Sequence, residues 1–267
     1  MKNILLTLLL FSTTALFAQQ DKSYNLPYQM DYFEDGKDYY VFGHNVKLRK
    51  GPSTDEEVVM LLSIGDQLEI VDKHDVLYKI GGYEANWFEV KSGNKTGFVV
   101  GALLAEQGLD FEGQRFLFNK TNTGISIRAL QDKGAYSELK FEPRGSATSV
   151  RPYDNRGLAG IKNILYIDYQ GECCGCEMGG SYIFYDGKKL IDAIDVLASG
   201  DGGYYEEESV TFPAEKEGLS SNKVIFHNRS GEVMDEDTNW EIETISKREL
   251  TWEGDAFYPE NFRRGNR

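Results

Sequence analysis

Short runs of alternating apolar and polar residues follow one another along most of this chain. In Val46-Lys47-Leu48-Arg49 and in Leu68-Glu69-Ile70 one side of an extended strand meets a core while Lys47, Arg49 and Glu69 face water. Gly51-Pro52 and Gly65-Asp66 are turn dipeptides: Gly supplies positive φ, and Pro fixes φ and removes a ladder donor. Ser92-Gly93-Asn94-Lys95 lies between a run ending at Val90 and one starting at Thr96, so it predicts a hairpin pairing the Trp87 strand with the Phe98 strand. Further along, Phe116-Leu117-Phe118, Ile125-Ser126-Ile127, Ile164 to Tyr169, Tyr182 to Tyr185, Val224-Ile225-Phe226 and Trp240 to Ile245 are short, β-branched or aromatic, and separated by Gly, Asn and Asp. Asp186-Gly187 is the residue pair a tight hairpin demands. Leu190 to Ala198 admits a helix, but Ile191, Ile194 and Leu197 also fit a strand and its exit, and we read strand then turn.

No βαβ alternation suggests a parallel sheet, and no fixed-period repeat suggests a propeller. After an N-terminal export segment about 250 residues remain, enough for two domains of ~100 to 200 residues or less. The first runs from 39 to 105. The second, 110 to 258, reads as an antiparallel sandwich or partly open barrel. Between them Glu106-Gln107-Gly108 reads as a short joint, which implies packed domains. Residues 19–38 form a lead-in arm of mixed polar and aromatic character, with Tyr28, Tyr32 and Phe33 available to pack on a neighbour. Residues 259–267 form a short basic tail.

The first domain carries several motifs in a fixed order. Val46 to Thr54 reads Val-Lys-Leu-Arg-Lys-Gly-Pro-Ser-Thr; Leu62-Ser63-Ile64-Gly65-Asp66-Gln67-Leu68-Glu69-Ile70 follows; then come Trp87-Phe88-Glu89-Val90, a turn, and Gly97-Phe98-Val99 before Leu103-Leu104. This succession resembles the bacterial SH3-like (SH3b) domain, over about a quarter of the chain. The resemblance implies an all-β protein: a small SH3-like barrel followed by the larger antiparallel domain. SH3b domains are binding modules, often directed at peptidoglycan or at protein partners of the cell envelope. Tyr78, Trp87, Phe88 and Phe98 are the candidate ligand-binding aromatics, Trp87 foremost. Strand alternation forbids Trp87 and Phe88 from facing the same groove, so one of them is core.

Met1-Lys2-Asn3 gives a positive start, Ile4 to Phe11 an apolar core and Ala15 to Ala18 a small-residue end, the pattern of a signal peptide over residues 1–18. The apolar run is shorter than the about 20 residues a membrane helix needs, and no later segment approaches that length. A periplasmic or secreted protein is expected. The chain has 29 Lys+Arg against 43 Asp+Glu, a formal charge of -14, which repels polyanions and argues against a nucleic-acid partner. Aromatics are 13 % of residues, a richness that a β core largely absorbs.

Candidate chemistry centres on Cys173, Cys174 and Cys176, the chain's three thiols. In an oxidising compartment Cys176 would pair with Cys173 or Cys174, and a Cys173–Cys176 disulfide would stiffen one loop. Adjacent Cys173-Cys174 crowd each other as metal ligands, so no metal or cofactor is expected. SH3b domains often precede cell-wall peptidases of the NlpC class, and a cysteine with His227 as base offers the alternative function, a cell-wall hydrolase or other thiol-dependent enzyme. The context opposes it: the run after the cysteines is strand-like, so no helix N-terminus would lower a thiol pKa. His44 and His74 lie in the barrel region. The acidic stretch Ser199 to Glu208 lacks the alternating ligands that wrap calcium and reads as a solvated loop. The expectation is thus a non-catalytic binding protein of the bacterial envelope, with peptidoglycan or an envelope protein as partner.

Overall fold

The structure is a computed structural model that describes residues 22–27, 32–122, 124–143, 145–171, 178–235 and 240–262. The fold is all-β, and every strand pair is antiparallel among the described residues. In chain order the strands are β1 (Tyr24–Asn25), β2 (Asp38–Val41), β3 (Val46–Arg49), β4 (Val58–Leu62), β5 (Gln67–Ile80), β6 (Tyr83–Ser92), β7 (Lys95–Val100) and β8 (Leu104–Ala105). They continue with β9 (Gln107–Phe111), β10 (Gln114–Thr121), β11 (Gly124–Leu130), β12 (Tyr136–Phe141), β13 (Ser146–Tyr153), β14 (Asn163–Gln170) and β15 (Met178–Tyr185). The last five are β16 (Leu190–Asp201), β17 (Tyr204–Thr211), β18 (Lys223–Asp235), β19 (Trp240–Trp252) and β20 (Phe257–Tyr258). No helix among the described residues is long and apolar enough to cross a membrane.

Three sheets result. The first has the order β4-β3-β7-β6-β5-β2-β8, and it curls, because Leu62 near one end and Leu104 at the other share one core with Leu48, Ile70, Phe88 and Val99. The expected hairpin is present: Ser92 pairs with Lys95 around Gly93, whose φ of 60° suits the two-residue turn. The second sheet, β12-β11-β10-β9, lays Phe116, Phe118, Ile125 and Ile127 against Val150, Leu165, Ile167 and Ile183 of the third, β1-β13-β14-β15-β16-β17-β18-β19-β20. That is a sandwich core. The opposite face of the nine-stranded sheet closes over a second core of Ile164, Phe184, Ile194, Phe212, Val224 and Trp252. Strands β14 to β16 are therefore covered on both faces. Asp186 Oδ1 accepts from the amides of Lys188 and Lys189 at 2.7 Å each, closing the Asp186-Gly187 hairpin.

Three readings of the sequence need correction. Leu190 to Ala198 does not turn: β16 runs on to Asp201. The Glu106–Gly108 joint is strand and strand entry, Glu106 N donating to Phe118 O at 2.9 Å while the Glu106 carboxylate accepts from Lys120 N. The Ser199 to Glu208 stretch is the β16–β17 hairpin, with Gly202 and Gly203 at positive φ and Glu206 and Glu208 accepting from Asn228 Nδ2 and Leu197 N. Cys173, Cys174 and Cys176, with their expected disulfide, lie outside the described residues, as does Tyr28.

Candidate functional site

Alternation in β6 separates the four candidate aromatics. Phe88 pairs with Val99 and points inward, fully buried among Leu48, Ile70 and Val90. This corrects its assignment as a ligand contact, because no ligand reaches it without opening the core. Trp87 pairs with Val100 and Glu89 with Phe98, so Trp87, Val100 and Phe98 share the outer face. That face is not bare. Trp87 is only 3 % exposed, in a small cluster with Ala85, Val100, Ile80 and Leu103.

What covers Trp87 is the extension of the β5–β6 hairpin beyond the sheet. Two irregularities in β5, between Ile70 and Asp72 and between His74 and Leu77, add local twist. Asn86 Nδ2 donates to His74 O at 2.8 Å and fixes the second one. The twisted arm lays Tyr78 across the indole, edge to face at 6.0 Å. His74 meets the Phe98 ring similarly, edge to face at 4.9 Å.

Trp87, Tyr78 and Ile80 line a groove of about 220 Å³ together with Val46, Lys47, Arg49 and Thr54, and with His44 and Asn45. Tyr78 is 36 % exposed at its lip. Arg49 is held by Nη1 donating to Glu56 O at 2.7 Å, whereas Lys47 projects into solvent. The groove thus joins an aromatic floor to a cationic rim, a combination suited to an extended, carboxylate-bearing chain. Sequence reasoning missed Lys47, Arg49 and Thr54 as groove residues, although the alternation in β3 already turned Lys47 and Arg49 outward. Larger hollows lie elsewhere: about 720 Å³ beside Pro27, Tyr32 and Glu106, next to residues 28–31 outside the described residues, about 650 Å³ between Arg115 and Lys162, and about 260 Å³ beside Lys120, Asn122 and Ser146. Their polar groups already serve the fold, as where Lys162 Nζ donates to Gln114 Oε1 at 3.3 Å.

His227, the candidate base, lies on β18 with Nε2 2.8 Å from Thr211 Oγ1. Desolvation first, then the charges of Lys247 and Lys216, lower its pKa below the ordinary value for histidine. The strand end at Met178, beyond which the cysteines lie in sequence, aligns through Ala198 and Glu207 with Arg229 of β18. Along the sheet that is three strand spacings, about 14 Å, and two residues from His227. Among the described residues no group of three His, Cys, Asp or Glu is arranged to hold a metal ion. Comparison with protein-family models, curated proteins and solved structures finds no match to the chain.

Proposed function

We propose that this chain is an exported, non-catalytic binding protein of the bacterial cell envelope, whose first domain is an SH3b-type module recognising peptidoglycan peptide or a protein segment. The observation that carries this reading is the Trp87–Tyr78 groove rimmed by Lys47 and Arg49. Peptidoglycan stem peptides are short, extended and carry carboxylates, so an apolar floor flanked by two cations is complementary to them. The net charge of -14 over the whole chain disfavours polyanions, and against it Lys47 and Arg49 supply the groove with local positive charge. The sequence pattern of residues 1–18 supplies the compartment.

Sedimentation with purified peptidoglycan, together with titration of soluble stem peptides followed by tryptophan fluorescence, tests the reading. Trp87→Ala would remove a buried side chain and confuse folding with binding, so the informative variants are Tyr78→Ala and Lys47→Glu. Each is expected to weaken binding by about 10-fold, on the scale of one aromatic or one rim charge; Lys47→Glu, at an exposed position, should leave the thermal midpoint nearly unchanged, whereas Tyr78→Ala, which uncovers Trp87, should lower it modestly without unfolding the protein. Wild-type chain that ignores both peptidoglycan and stem peptides, or binding indifferent to both substitutions, would overturn it.

A further inference from the structure

The nine-stranded sheet ends in an unusually long free edge. Strand β19 pairs with β18 over most of its length, but on its other side β20 covers only Thr251 and Trp252. From Glu241 to Leu250 the outer backbone groups of β19 have no ladder partner among the described residues. Among the other edges β4 has five residues, Leu190 N donates to Ser137 Oγ at 3.0 Å where β12 meets β16, and the outer side of β5 beyond Ile70, long as well, is broken by two irregularities. Ile242 and Ile245 on β19 are 56 % and 55 % exposed. Proteins ordinarily shorten, bulge or cover such an edge, because it templates pairing with another chain.

The charge order along this edge identifies the chain it suits. Glu241 and Glu243 precede Ile245; Lys247 and Arg248 follow it. In an antiparallel pair of identical strands about a two-fold axis, the first half of each strand lies against the second half of the other. We infer that β19 pairs with β19 of a second copy of this chain, with the two-fold axis at Ile245. Directly opposed residues in such a pair must lie on one face of the sheet, which restricts the axis to a residue position. The free run from Glu241 to Leu250 is centred beside Ile245, and a centre there keeps β20 clear of the paired segment. Ile245 then meets Ile245, and Glu243 meets Lys247 twice. This centre also sets Glu241 opposite Glu249 at each end, where Glu249 is already paired with Lys223 at 2.5 Å; a centre at Ser246 would oppose Glu243 to Glu249 and lose the Glu243–Lys247 pairs altogether.

The side chains are poised for this register. Glu243 Oε1 accepts from Tyr205 OH at 3.1 Å and from Arg229 Nε, which leaves Oε2 for a further donor. Lys247 carries no ion pair among the described residues. Nine opposed positions would add about eight to ten backbone hydrogen bonds, since alternate pairs exchange two each. The two nine-stranded sheets become one continuous sheet, and both Ile245 side chains leave water.

Sedimentation velocity from about 1 to 100 µM tests the dimer, the range in which a modest self-association becomes visible. Wild-type protein is expected to dimerise. Lys247→Glu places four carboxylates at the interface and Glu243→Lys places four ammonium groups there, so each variant alone should weaken association about 100-fold. An equimolar mixture of the two variants should recover a heterodimer, because every introduced charge then faces its opposite. That recovery also shows both variants to be folded. Hydrogen exchange on wild-type protein supplies a measurement free of substitutions: amides of residues 241–249 should gain protection as concentration rises. A wild-type monomer throughout the range, a dimer that neither substitution weakens, a mixture that stays monomeric, or exchange of 241–249 independent of concentration would each overturn the inference.

Discussion

A methyl group at position 97 would sit 2.5 Å from the carbonyl oxygen of Arg49 and 2.8 Å from Leu48 Cγ. Gly97 is thus required where β7 passes close to β3, a contact that reduces their ladder to the single pair Arg49 and Phe98. Gly97→Ala is expected to cost about 1–3 kcal/mol, as overpacking in a fixed core does, and urea unfolding monitored by tryptophan fluorescence measures it. Asp192 makes the opposite kind of statement, about charge. Asp192 occupies an exposed position of β16, yet desolvation of its carboxyl by its surroundings, with Asp195 nearby, pushes its pKa from 3.8 up to about 6. Asp195 Oδ1 accepts from Ser181 Oγ at 2.5 Å. A carboxyl with a raised folded-state pKa holds its proton longer in the native state, so its stabilising effect is complete below about pH 4 and is lost as pH rises through about 6. Asp192→Asn should therefore raise the urea midpoint at pH 7 relative to wild type, leave it unchanged at pH 4, and flatten the profile between. A variant whose midpoint tracks the wild type across that window would contradict the assignment.

At the scale of elements, what the sequence made legible was local. Ser92 to Lys95 and Asp186-Gly187 announce their hairpins because turn chemistry depends on adjacent residues, and the alternation of β3 and β6 distinguishes inward Leu48 and Phe88 from outward Lys47 and Trp87. Even there alternation was incomplete as a guide, since Trp87 faces outward and is still buried. The cover comes from Tyr78 and Ile80, delivered by irregularities in β5 that no local period encodes. Strand β16 was harder because both of its faces are covered, Leu190 by one core and Ile191 and Ile194 by the other, so its residues lose a two-fold pattern and mimic a helical one. Acidic and polar composition misled at Glu106 and at Glu206 and Glu208. Their carboxylates accept from Lys120 N, Asn228 Nδ2 and Leu197 N, partners fixed only once distant strands meet. The groove shows the same division: its aromatic members were readable as candidates, while the pairing of Tyr78 with Lys47 across about thirty residues of chain depends on the curl of the sheet.

For the molecule as a whole, two apolar junctions among the described residues tie the seven-stranded sheet to the sandwich. The arm before β2 is a tie: Tyr24 and Asn25 extend the nine-stranded sheet, Leu26 enters the sandwich core, and Phe33 seals the first core against Tyr39 and Phe88 at 4.9 and 5.1 Å. The second junction sets Phe42, Ile64 and Ala105 on Leu117, the one β10 side chain between Phe116 and Phe118 that turns away from the sandwich. Arg128 lies at its centre, stacked between the rings of Phe42 and Tyr136 at 4.1 and 4.4 Å, donating to Phe42 O and paired with Glu138 at 2.9 Å. With both ties in place the sheets should unfold as one cooperative unit, so that hydrogen exchange in β6 and in β14 reports the same opening free energy. Arg128→Ala removes both cation–π contacts, strips the Phe42 carbonyl of this donor and leaves the Glu138 carboxylate with the Ser126 Oγ donor at 2.7 Å. A loss of about 2–4 kcal/mol follows from breaking a partly buried, hydrogen-bonded charge pair together with its ring contacts. The loss should fall unequally, because the arm still links the cores while the junction keeps only the apolar contacts of Phe42, Ile64, Ala105 and Leu117: β6 amides are expected to open at lower denaturant than β14 amides in the variant. Equal openings in the variant would mean that the arm alone maintains cooperativity, and unequal openings already in the wild type would mean that the junction transmits none.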